Sequence, residues 1–231
     1  MEPAPRRLRA TPRERAASSL QAALYLAYPL VIYLGYARLA ARSLAALLLG
    51  LYALSLVLRL RGSAADLWRA LRPHLPLACL IGLSIALGDR RLLLFLPMLA
   101  GLYVLAAFAW SLRSGPPMIE RFARAIEHDL PPFTLGYCRK VTVLWCVFLA
   151  LHALAVGALA LFAPLAWWTL YTGLVFYLLL GALLVGETLV RKLWFRGYGR
   201  GLADQVLARL FPAERTANGR RSLAYRGRWP R

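Results

Sequence analysis

The chain has 231 residues, of which 60% are hydrophobic and 17% are charged, and its mean hydropathy is +0.56. Soluble domains carry about 25% charged residues, so the composition excludes an ordinary soluble domain. The formal net charge of +19 does not indicate a nucleic-acid partner, because the basic residues border apolar runs and form no separate basic domain.

The N-terminal tail, residues 1–16, contains five arginines ahead of the first apolar run. The charge-free stretch that follows, residues 16–37, is 22 residues long and exceeds a typical signal-peptide core. We therefore interpret it as an uncleaved first membrane span.

Charged residues divide the chain from residue 17 to residue 190 into six apolar segments. A helix needs about 20 residues to cross a bilayer, and residues 141–186 are charge-free with Pro164 near their middle, which predicts two crossings and a tight turn. The third segment is short and contains Pro76, so five spans are the alternative. We predict an all-α, polytopic transmembrane helical bundle with spans at 20–36, 43–58, 74–88, 92–112, 141–162 and 166–189.

The distribution of basic residues indicates the orientation of these spans. With the N-terminus in the cytoplasm, 25 of the 29 basic residues lie in inner segments, and only Arg38, Arg42, Arg90 and Arg91 lie outside. Cytoplasmic loops are enriched in Lys and Arg. The pattern predicts six helices with both termini inside.

Two predicted inner segments have helical apolar periodicity. In the cytoplasmic loop at 113–140, the stripe of Met118, Ile119, Phe122, Ala123 and Ile126 places Glu120, Arg121 and Arg124 on the opposite, polar side. Residues 201–211 form the second amphipathic helix. Each either lies on anionic lipid or packs against other cytoplasmic segments. In the basic C-tail, 191–231, we expect no regular structure after Ala213.

Ionisable residues within a span are functional candidates. His152 lies midway along the fifth span, where it could handle a proton or contact a ligand, or donate a hydrogen bond to Thr169, Thr172 or Tyr171. The second interpretation is favoured, because no other His and no carboxylate is adjacent in the sequence.

Two carboxylate positions have competing interpretations. Glu187 precedes Arg191 by four residues, which predicts a helix ion pair; the alternative is a pocket with Arg139 or Lys140. Glu120, Glu127 and Asp129, with His128, could form a catalytic pair, but solvated partners for nearby arginines are favoured.

We expect no cofactor and no metal. The sequence contains no nucleotide-binding or hydrolase motif, and no three or four residues have the spacing of metal ligands. Cys79, Cys138 and Cys146 show no paired or ligand spacing and indicate unpaired thiols.

A distinctive motif lies between residues 92 and 190. Its parts are Pro117-Met118-Ile119-Glu120-Arg121-Phe122-Ala123-Arg124, then Leu130-Pro131-Pro132, Tyr137-Cys138-Arg139-Lys140-Val141-Thr142, Trp145 and Gly186-Glu187. This stretch resembles an uncharacterised family of bacterial polytopic membrane proteins. Their genes are often found beside those for aryl polyene or xanthomonadin-type lipid biosynthesis, and some members are labelled "ketosynthase". No catalytic residues are established for that family, so the resemblance implies none here. A ketosynthase needs a soluble thiolase-type fold, for which this chain has no room.

The resemblance implies an accessory inner-membrane protein of an acyl-carrier-dependent lipid or pigment pathway. Such a protein would contact membrane lipid and would dock acyl carrier proteins or soluble biosynthetic enzymes on its basic inner face. The alternatives are a small lipid or polyene transporter and an intramembrane acyl or prenyl transferase. The oligomeric state does not follow from the sequence. The candidate functional or partner surface comprises Glu120, Arg121, Arg124, Arg139, Lys140, His152 and Glu187.

Overall fold

The computed structural model describes residues 23, 26–36, 38–57, 75–126, 130–196 and 201–226. Every regular element within these ranges is helical, which confirms the all-α prediction. Three of the described helices are long and apolar enough to cross a membrane, spanning Arg90–Arg113, Pro132–Phe162 and Leu165–Phe195. These three helices indicate a membrane protein. Six spans with both ends inside stay a prediction.

The described residues group into two compact units. Unit 1 contains the described residues up to Tyr103 and residues 150–176, and unit 2 contains the described residues of 104–149 and those from Tyr177 onward. The helices of unit 1 begin with α1 (Leu26–Tyr36), α2 (Ala41–Val57) and α3 (Leu75–Leu87). A 3₁₀ helix over Arg90–Phe95 follows and leads into α4, Leu96–Arg113, which belongs to unit 2 from Val104 onward.

The core of unit 1 surrounds Trp168, which is fully buried with Ile32, Leu44 and Leu93. The Trp168 indole donates to the Leu94 carbonyl at 3.1 Å. A buried indole N–H is costly unless it has a partner, so this bond fixes the ring within the apolar core.

In unit 2, α5 spans Met118–Ile126, close to the predicted amphipathic helix. The helix α6 runs over Leu135–Phe162 and α7 over Leu165–Phe195, with a π-helical turn at Tyr171–Val175. Both helices contribute residues to both units. Two further helices follow: α8, Leu202–Leu210, and α9, Ala217–Arg226. The predicted helix at 201–211 is therefore confirmed.

The first three predicted spans correspond to the shorter helices. The described helix α3 has 13 residues, fewer than a full crossing requires, and α2 has 17. The part of the first span before residue 26 lies almost entirely outside the described residues. In α2, Arg42 lies within the first helical turn rather than in the turn before it.

The later spans differ from the prediction at their ends. Helix α6 begins at Leu135, six residues before the predicted start, so Arg139 and Lys140 are helical. Helix α7 continues to Phe195, beyond the predicted boundary at residue 190. Charges mark where a segment leaves the apolar layer, whereas backbone hydrogen bonding can continue past them. Between the two helices, Ala163 and Pro164 form the predicted tight turn.

The expectation of no regular structure after Ala213 is wrong, because residues 217–226 form α9. The Thr216 hydroxyl accepts from the Gly219 amide at 3.2 Å and thereby caps the start of α9. A Cβ at Gly219 would lie 2.1 Å from the Ala213 carbonyl oxygen, so glycine permits this close approach.

Candidate functional site

Side chains from two neighbouring helices of unit 2 fix the start of α5. The Ser111 hydroxyl of α4 accepts from the Met118 amide at 2.9 Å, and the Thr142 hydroxyl of α6 accepts from the Ile119 amide at 3.3 Å. Both side chains are buried. The first amides of a helix have no intrahelical partner, so these two bonds satisfy them and orient α5 within the unit.

The orientation of α5 agrees with its predicted polar side at Arg121 and Arg124, which are exposed, but not at Glu120. Glu120, predicted on the solvated side, is only 7% exposed, whereas Phe122 of the apolar stripe is 53% exposed. Hydrogen bonds from residues outside α5 set its rotation, and the periodicity of α5 contains no information about them. The interpretation of Glu120 as a solvated partner is therefore corrected. Glu127, His128 and Asp129 lie outside the described residues.

Glu120 forms an ion pair with Arg124 one turn along α5. The Arg124 Nε and Nη2 atoms lie 2.9 and 2.8 Å from Glu120 Oε1. Glu120 is nearly enclosed, while the Arg124 side chain is 44% exposed. The pair therefore compensates a buried carboxylate and still leaves guanidinium surface facing outward.

A second enclosed carboxylate, Glu187, lies on α7 in unit 2. Its Oε1 is 3.7 Å from Arg191 Nε, which confirms the predicted i,i+4 pair at a separation typical of a weak interaction. The Tyr137 hydroxyl donates to the Glu187 carbonyl at 3.3 Å. Arg139, the predicted alternative partner, donates instead to the Leu112 carbonyl at 3.2 Å.

Cys138 is a buried, unpaired thiol on α6, as the sequence predicts. Its carbonyl accepts from the Thr142 hydroxyl, one helical turn later, at 2.8 Å.

The remaining basic candidates are exposed on unit 2. Arg121 is held by two backbone carbonyls, with Nε 2.8 Å from the oxygen of Pro116 and Nη2 3.2 Å from that of Ser114. Arg139 and Lys140 lie at the start of α6 on its exposed side. We call the exposed residues Arg121, Phe122, Arg124 and Ala125 the α5 face.

His152 belongs to unit 1 and does not join these groups. Its Nδ1 lies 3.3 Å from the Tyr171 hydroxyl, one of the three partners predicted for it, and its ring stacks on Phe176 with 4.0 Å between centroids. A Cβ at Gly101 would be 3.1 Å from the imidazole, so glycine allows α4 to approach it. This arrangement supports a packing role for His152.

Among the described residues, no group of three or more His, Cys, Asp or Glu side chains is arranged so that it could bind a metal ion. Two features of unit 2 are the functional candidates: the basic α5 face, and the two carboxylates Glu120 and Glu187, each paired with an arginine one helical turn away. The chain matches no protein-family model, no curated protein and no solved structure, so its function has to be argued from these residues.

Proposed function

We propose that the chain is an integral protein of a bacterial inner membrane that docks an acidic soluble protein on its α5 face. The partner class is the acyl carrier protein or a soluble enzyme of an acyl-carrier-dependent lipid or pigment pathway, of the aryl polyene type that the sequence resemblance implies. One observation carries the proposal. The α5 face exposes Arg121, Arg124 and Phe122, while the only carboxylate of α5, Glu120, is enclosed.

The geometry of the α5 face suits recognition of an anionic surface. Arg121 is already positioned by its two carbonyl contacts, and the α5 backbone is fixed by Ser111 and Thr142. Groups that are ordered before binding lose less conformational entropy on association. Positive charge also accelerates the encounter with an acidic partner, and the half-exposed Phe122 ring supplies an apolar contact beside it.

Membrane insertion is supported by the exposed surface of the long helices. Phe162 and Leu154 on α6 and Leu178 on α7 are large apolar side chains exposed to the surroundings. Soluble monomers rarely expose extended apolar surface, and lipid would cover it. The proposed topology has six spans with both termini inside, so that the α5 face is cytoplasmic. A reporter fused at Ala163 tests this orientation, because cytosolic exposure of that turn would contradict it.

A binding measurement tests the docking proposal. The full chain is reconstituted in nanodiscs of zwitterionic lipid and titrated with a purified bacterial acyl carrier protein at low and high salt. We expect binding at low salt, weaker binding at high salt, and about fivefold weaker binding for Arg121→Gln. Arg220→Gln is the matched control, because Arg220 is also exposed and also donates to a backbone carbonyl, that of Glu214.

Two results would contradict docking at the α5 face. The first is affinity that Arg121→Gln leaves unchanged. The second is equal weakening by Arg121→Gln and Arg220→Gln, which would indicate a diffuse charge effect instead of a specific surface.

A second candidate function is an intramembrane acyl transferase. Its candidate acid and base groups are Glu120 and Glu187, two carboxylates of unit 2 with little exposed surface. Lipid and acyl-carrier profiling after gene deletion separates the possibilities. Partial loss of all products supports docking, accumulation of a distinct precursor supports catalysis, and product trapped inside the cell supports the transporter alternative.

A further inference from the structure

Helix α8 is tied directly to the C-terminal end of α7. Asp204 of α8 forms an ion pair with Lys192 of α7 at 2.5 Å, and Arg196 Nη1 donates to the Pro212 carbonyl just after α8. Arg196 adopts a positive φ of 50°, the left-handed conformation that commonly ends helices. These contacts hold α8 at the level where α7 stops.

That level is a membrane boundary if α7 crosses the bilayer. The described part of α7 is apolar and outwardly exposed up to Leu193 and Trp194, with Trp194 59% exposed, and basic residues occur among its last positions. Exposed tryptophan beside basic residues is typical of the interface between lipid and water. Because Lys192 and Arg196 fix α8 at the same level, α8 lies in the interfacial layer.

The exposed side of α8 carries two large aliphatic side chains beside a cation. Val206 is 56% exposed and Leu210 is 64% exposed, and Arg209 is exposed beside them. Leu207 and Asp204 are more enclosed. The sequence left open whether this helix packs on cytoplasmic segments or lies on lipid. The exposure of Val206 and Leu210 favours the second arrangement.

We propose that α8 is an interfacial helix whose Val206, Arg209 and Leu210 bind the anionic headgroup layer of the bilayer. The binding partner is an acidic phospholipid surface, because the exposed side of α8 carries a positive charge and α8 lies at the level where α7 ends. The only carboxylate of α8, Asp204, is already paired with Lys192, so Arg209 determines the charge of the exposed side. Aliphatic side chains enter the boundary between headgroups and acyl chains, while the guanidinium pairs with lipid phosphate.

This inference is separate from docking at the α5 face, and its test uses lipid alone. The full chain is placed in nanodiscs of zwitterionic lipid or of zwitterionic lipid with an added third of phosphatidylglycerol, and hydrogen exchange is followed at residues 202–211. We expect slower exchange in the anionic discs. We also expect Arg209→Gln to reduce the difference about fivefold, whereas Arg221→Gln on α9 leaves it unchanged.

A paired substitution tests the apolar contact. The double variant Val206→Ser with Leu210→Ser should lose the protection in both kinds of disc, while Leu223→Ser, at an exposed leucine of α9, should keep it. Exchange at Gly101–Phe108 reports whether each variant remains folded.

Three outcomes would overturn the proposal. The first is identical exchange of residues 202–211 in detergent and in both kinds of disc. The second is protection that appears only when an acidic soluble protein is added, which would assign α8 to a protein partner. The third is protection that rises with the number of chains per disc, which would assign the helix to a contact with a second copy.

Discussion

The two units stabilise their polar groups by different means. Unit 1 encloses neutral groups and pairs them with backbone carbonyls: the Trp168 indole donates to Leu94, the Tyr28 hydroxyl to Leu93 and the Ser84 hydroxyl to Asp89. Unit 2 also pairs buried hydroxyls with backbone carbonyls, as Thr142 does, but in addition it encloses carboxylates and pairs them with cations, as in Glu120–Arg124 and Asp204–Lys192. Burying a hydrogen-bonded neutral group has a small desolvation free energy, whereas the attraction within a buried ion pair has to offset the large desolvation free energy of two charges. The larger desolvation penalty is therefore found in unit 2, which carries the candidate functional surfaces.

The largest expected effect on stability is at the centre of unit 1. Trp168→Ala should destabilise the chain by about 3–5 kcal/mol, because it opens a cavity in the core and leaves the Leu94 carbonyl without its donor. Unfolding in mixed micelles measures the change. The adjacent Trp167 is exposed and provides the matched control, since Trp167→Ala should cost much less. Equal losses would show that the apolar core does not determine the stability of unit 1.

The next effect concerns the ion pairs of unit 2. Arg124→Ala should cost about 1–2 kcal/mol, because it leaves Glu120 enclosed without its cation. The value is reduced by the 44% exposure of the Arg124 side chain. Adding Glu120→Gln should recover part of the loss in the same unfolding assay. If the double variant is no more stable than Arg124→Ala, the Glu120 charge is not the cause.

A smaller effect is expected from a single hydroxyl. Thr142→Val removes the acceptor for the Ile119 amide and should cost about 1 kcal/mol, a typical value for loss of a helix cap. Thr169→Val is the control, because the Thr169 hydroxyl is buried with no hydrogen-bond partner in the described part of the chain. That variant should be neutral or stabilising. Exchange of the α5 amides, faster in Thr142→Val alone, would identify the cap as the cause.

The smallest effect is expected at Glu187. Its 3.7 Å separation from Arg191 indicates a weak pair, so Glu187→Gln should change stability by less than about 1 kcal/mol and leave product levels unchanged. Lipid profiling with protein quantification measures both. Loss of product at normal protein level would instead support the transferase candidate and would assign unit 2 a catalytic role.

Much of the helical framework could be predicted because its signals are local. The absence of charge between residues 141 and 186 predicted two long helices, and Pro164 predicted the turn between them. The spacing of Glu187 and Arg191 predicted their pairing for the same reason, since helix geometry relates residues four apart.

The errors have a common physical cause. Glu120 was placed on the solvated side of α5, but its orientation depends on Ser111 and Thr142, which lie outside that helix. Helix α9 was missed because its composition is polar and basic, although Thr216 caps it and Tyr225 packs edge-on against Phe133. The contact of Tyr225 with Phe133 has no signature within α9, whereas the Thr216 cap is a local signal.

The amino-acid sequence by itself determined that the chain is helical, apolar enough for a membrane and basic at the ends of its apolar runs. These properties follow from composition and local periodicity. Tertiary packing decided which carboxylates are enclosed and that the exposed side of α8 carries Val206 and Leu210. The rotation of a helix about its own axis is set by partners distant in the chain, and side-chain burial depends on that rotation.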